Sequence, residues 1–69
     1  MTTLGEELPK EQTRVRELIL QYRDPDLKGA GNLAALMMEA ALQAADQAII
    51  SGDIASMILA YKVLQGFEA

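Results

Sequence analysis

From Leu33 to Ile50 the chain carries only four polar side chains, Glu39, Gln43, Asp46 and Gln47. At about 100° per residue these four fall on one strip of a helix, with Ala34, Met37, Met38, Ala41, Ala44, Ala45 and Ala48 directly opposite. Leu33 and Ala40 flank that apolar surface on one side, and Leu42 and Ile49 on the other. The resulting arc spans roughly 200°, whereas a helix resting on one neighbour needs about 100°. This segment must therefore be a central helix, covered from two directions.

Punctuation on either side sets the other elements. Residues 1–7 show no apolar period and read as a frayed leader, with residues 8–69 forming a single three-helix domain. The first helix starts near Pro9, whose missing N–H is harmless at a first helical position. Leu8, Val15, Leu18, Ile19 and Tyr22 recur on one narrow face, and Lys10, Arg14, Arg16 and Glu17 lie on the other. Pro25 forces Asp24 out of helical geometry, so this helix stops at about Arg23. Asp24–Asn32 is a loop, and Asn32 is placed to cap the central helix, which runs to about Ser51. Gly52 then supplies a left-handed end and Asp53 an immediate cap for the third helix, which makes the second and third a helical hairpin. The third helix runs to about Gln65, with Gly66 as its stop. Its main face is Ile54, Met57, Ile58, Tyr61 and Leu64, and a second apolar strip, Leu59 and Val63 with Ala60 beside them, occupies the far side. Three helices cannot bury both strips and the whole central arc.

Composition narrows the function. With 69 residues there is room for one small domain, and a chain of this length buries only about 60% of its unfolded surface alone. Disulfides, metals and oligomerisation are the usual supplements. The sequence has no Cys and no His, which removes disulfides, the usual zinc ligands and the commonest acid–base and thiol catalysts. A hydrophobic fraction of 51% leaves oligomerisation as the available supplement. The formal charge of −4 disfavours nucleic acid and anionic membrane surfaces. Met1–Glu7 lacks a basic-then-apolar pattern, and the longest unbroken apolar run, Leu33–Met38, is short for a membrane span. The expectation is a cytoplasmic protein, not an enzyme, with no cofactor, no metal and no membrane.

Motif-like segments resolve into structural roles. A calcium loop begun at Asp24 would put Lys28 and Ala35 where an oxygen ligand and a bidentate Glu are required. Lys28-Gly29-Ala30-Gly31-Asn32 precedes a helix, but follows a charged helix instead of the strand that a phosphate-binding loop needs. Glu39 and Asp46 share one face and read as a solvated polar strip. The hairpin lacks the basic and amide side chains of a DNA recognition helix, which would open here on Asp53 and carry only Lys62 as a base.

Gly52-Asp53, Met57, Tyr61 and Leu64 give the hairpin a resemblance to one tetratricopeptide unit, although the repeat period does not recur. That resemblance implies a packing style used for protein–protein contact. Over nearly the whole chain, Glu7-Leu8-Pro9-Lys10-Glu11, Arg14-Val15-Arg16-Glu17-Leu18, Met37-Met38, and Ser51-Gly52-Asp53 through Ala60-Tyr61-Lys62 resemble short all-helical proteins of bacterial and phage genomes. This likeness implies a bacterial or phage source and no activity.

The expectation is thus an all-α fold with an amphipathic first helix packed on a helical hairpin, dimerised into a helical bundle. Its interface residues are Leu42, Ile49, Leu59 and Val63. The function is a protein–protein interaction module, a small homo-oligomeric accessory or adaptor whose partners are itself and another protein. Two alternatives belong to other classes. A nucleic-acid-associated regulator would need Lys10, Arg14, Arg16 and Lys28 aligned in one strip. A small-molecule binder would need an intersubunit pocket lined by Met and Tyr61.

Overall fold

The computed structural model describes residues 3–68, in which helices α1 (Leu4–Tyr22), α2 (Asn32–Ser51) and α3 (Ile54–Gln65) pack pairwise on one another. No strand occurs among the described residues. The all-α, three-helix expectation is met. A single 3-10 turn, Pro25–Leu27, lies between α1 and α2, with the Asp24 carboxylate accepting the Asp26 N–H at 2.9 Å.

The start of α1 corrects the expected leader. Helix begins at Leu4, so Pro9 lies inside it; residues 1 and 2 are outside the described residues. A proline one turn into a helix removes only one backbone bond. The Thr3 carbonyl accepts the N–H groups of both Glu6 and Glu7. Those two acids sit at the positive end of the helix dipole. Leu4, partly buried against the core, adds the apolar contact that helps hold the first turn.

The cap of α2 is also different. Gly31, not Asn32, holds the N-cap position, and no side chain caps the helix. The reason is steric. Gly31 is buried so close to α1 that a Cβ there would lie 2.1 Å from the Tyr22 carbonyl oxygen. The second turn follows the sequence reading. Gly52 closes α2 at φ +71°, and the Asp53 carboxylate accepts the Ala55 N–H at 3.1 Å and the Ser56 hydroxyl at 2.8 Å.

The core joins all three helices. Leu8, Val15, Leu18 and Ile19 of α1 meet Ala35, Met38, Ala41, Leu42 and Ala45 of α2, and Ala60 and Leu64 of α3. Tyr22, Met57 and Tyr61 pack at its margin. On α3 the expected main face is only partly internal, because Ile54 and Ile58 are exposed. The buried face of α2 is turned by about 45° from the one predicted, toward the edge of its polar strip.

Candidate functional site

The turn of α2 follows from where its polar groups go. Gln12, buried on α1 at 4% exposure, donates from Nε2 to Asp46 Oδ1 at 2.8 Å. Arg23 Nη2 donates to Glu39 Oε1 at 2.9 Å. Both acids of α2 thus stay solvent-accessible, as the polar-strip reading has it, while each also bonds a side chain of α1 or of Arg23 at its end. An arc of about 100°, swept from Gln43 through Leu36, Gln47, Ala40 and Leu33 to Ala44, carries no charge. Most of it is exposed, with Leu33 at 71%.

α3 continues this surface. Between α2 and α3, on the side away from α1, runs an open groove of about 490 Å³. Ala41, Ala44, Gln47, Ala48 and Ser51 line it from α2, and Ser56, Leu59, Ala60 and Val63 from α3. The α2 wall is a shelf of small side chains. The α3 wall is a ridge, with Leu59 at 65% and Val63 at 46% exposure. No titratable side chain lines the groove. The hydroxyls of Ser51 and Ser56 are turned to their own chain, donating to the Ala48 carbonyl and the Asp53 carboxylate. Such a surface can bind apolar matter but offers no acid, base or nucleophile poised for chemistry.

The predicted interface residues do not form one surface. Leu59 and Val63 stand on the groove's ridge. Leu42 is 8% exposed, belongs to the protomer's own core and does not line the groove. Ile49 is on the α1-facing side of α2, away from the groove. Of the shelf, Ala41 and Ala48 are buried, as their place on the predicted apolar face implies, and Ala44 is exposed. The signal that locates it is the placement of Glu39 and Asp46 on one edge of α2, where the charged helix must reach them.

The alternative sites also find their places. Arg14 is committed to structure: Nη1 and Nη2 donate to the Phe67 and Leu64 carbonyls, each at 2.8 Å, and Nε donates to Glu11 at 2.9 Å. Lys10 lies 3.6 Å from Glu7. The basic strip of Lys10, Arg14, Arg16 and Lys28 is therefore interrupted by local pairing. Tyr61 and Met57 border the core and do not line the groove. No cluster of three metal-ligating side chains occurs among the described residues.

By length and composition α2 is apolar enough to cross a membrane. A membrane-spanning placement would carry Glu39 and Asp46 into hydrocarbon, at about 2.5–3.5 kcal/mol for a central acid, and break their contacts with α1. Compared with protein families, with curated proteins and with solved structures, the chain finds no match in any of the three, so neither likeness noted in the sequence supplies a function.

Proposed function

We propose that this chain is a non-enzymatic interaction module, a small homo-oligomeric accessory or adaptor protein that docks helical protein surfaces on its α2–α3 face. The observation that carries the reading is the exposed, charge-free arc of α2. Both of its acids are tied to α1, and what remains beside α3 is an apolar groove with an exposed aliphatic ridge. Helix-in-groove recognition needs a shallow apolar trough that accepts side chains spaced one turn apart. Specificity, expected in the sequence from the mixed charges of α1, would instead come from the shape of the groove, because no α1 residue lines it.

A photo-crosslinking residue at Gln47, in the groove, tests the reading against the same residue at Arg16 on exposed α1. In native cells, Gln47 should yield protein adducts and Arg16 far fewer. Equal yields at the two positions, or adducts to lipid alone, would sink the proposal.

A further inference from the structure

The groove also says which protein fits it. Resting on the docking role just proposed, we infer that its occupant is a second copy of this chain, paired about a two-fold axis through the groove. In that pairing the Leu59–Val63 ridge of each protomer lies on the exposed Ala44 of the other, over a groove floor formed by Ala41 and Ala48.

Self-complementarity is the first argument. An isologous contact requires that one surface carry both a projection and its receptor. Here the ridge is on α3 and the shelf on α2, side by side across one groove. Rotating a copy by 180° about an axis parallel to the helices, lying just above the groove's midline, sets its α3 over this α2 and its α2 over this α3. Ridge then meets shelf twice, and the four helices form a bundle layer. Small residues let the partner helix approach closely, and the aliphatic ridge fills the space they leave.

Charge is the second argument. Two copies each bearing −4 repel unless their contact excludes charge. The groove residues are all uncharged, and the acids of α2 point toward α1. Surface area is the third. The folded chain exposes 4699 Å², against about 4,250 Å² for a compact monomer of its mass. A stable pairing takes about 800 Å² from each partner, roughly a sixth of this surface. Apart from Leu20 and Leu27, every exposed large hydrophobic residue lies on α2 or α3, and of these Leu59 and Val63 line the groove. A lipid surface fits less well, because the face presents no Lys or Arg to headgroups.

Sedimentation equilibrium at micromolar concentration tests the pairing. The parent chain should weigh twice its 7.5 kDa mass. Ala44→Glu and Leu59→Lys alter side chains exposed in the protomer, so each variant should keep its helicity while self-association weakens by about 100-fold or more. Mixed in equal amounts, the two should pair again. One contact then joins Glu at 44 to Lys at 59 and the other is native. Only ridge-on-shelf seating predicts that rescue. A monomeric parent chain, variants that still pair, or a mixture that stays monomeric overturns the inference. If Leu59→Lys fails to fold, Val63→Lys takes its place, and a parent melting temperature independent of concentration is equally fatal. A monomeric parent that floats with phosphatidylcholine vesicles points to lipid instead. If Gln47 crosslinks other proteins while the purified chain is monomeric, docking survives and self-pairing does not.

Discussion

Asp46→Ala should destabilise the protein more than Gln12→Leu, although both remove the same hydrogen bond. The asymmetry comes from burial. Gln12 is 4% exposed and gives its amide hydrogen to Asp46, which is itself exposed. Removing the carboxylate strands a buried donor, at about 1–3 kcal/mol. Removing the glutamine amide takes the buried polar group away and leaves Asp46 to water, which should be neutral to within about 0.5 kcal/mol. At about 4–8 °C per kcal/mol for a domain of this size, Asp46→Ala should melt roughly 4–24 °C lower, and Gln12→Leu within about 4 °C of the parent. The double variant should resemble Gln12→Leu, because no donor is left stranded. Thermal melts followed by circular dichroism, all at one chain concentration, measure the set. Equal losses for the two single variants, or a silent Asp46→Ala, would refute the claim that α1 sets the rotation of α2 through this contact.

Four further outcomes follow from the geometry. Gly31→Ala drives a Cβ to 2.1 Å from the Tyr22 carbonyl oxygen and should cost about 3 kcal/mol or more in a urea melt. Gly52→Ala, strained at φ +71° but with nothing within 4 Å, should cost about 1 kcal/mol. Arg14→Lys loses the fork that reaches the Leu64 and Phe67 carbonyls together, so amide exchange at the end of α3 should quicken, with stability lower by about 1–2 kcal/mol. The hydroxyl of Ser56, then the N–H of Ala55, hold the Asp53 carboxyl below the usual carboxylate range. Its contribution is thus present above the unfolded pKa and lost as pH falls through the lower folded value, below about pH 4. Asp53→Asn should flatten the acid limb of the melting-temperature profile, and an unchanged limb would place the acid sensitivity elsewhere.

Much of the fold was legible because its signals are local. Pro25 stops α1, Gly52 turns the hairpin and Asp53 caps α3 through atoms within a few residues of one another. The start of α1 was not legible, since Leu4 gains its packing from a core assembled by distant residues. Nor was the Gly31 cap, whose requirement is set by the Tyr22 carbonyl across the loop. The site was half legible. Leu59 and Val63 announced a surplus strip, but Leu42 was misplaced because α2 is apolar on both flanks of its predicted face.

Composition and periodicity by themselves determined three helices, their order, and an excess of apolar surface on the second and third. They could not determine how α2 is rotated. An apolar arc of about 200° can bury any of several 100° windows at nearly equal gain, so hydrophobicity leaves the choice degenerate. Tertiary structure breaks that degeneracy with two polar contacts, Gln12 to Asp46 and Arg23 to Glu39. They draw one edge of α2 against α1, bury Leu42, and leave Ala44 exposed in the groove beside Leu59 and Val63.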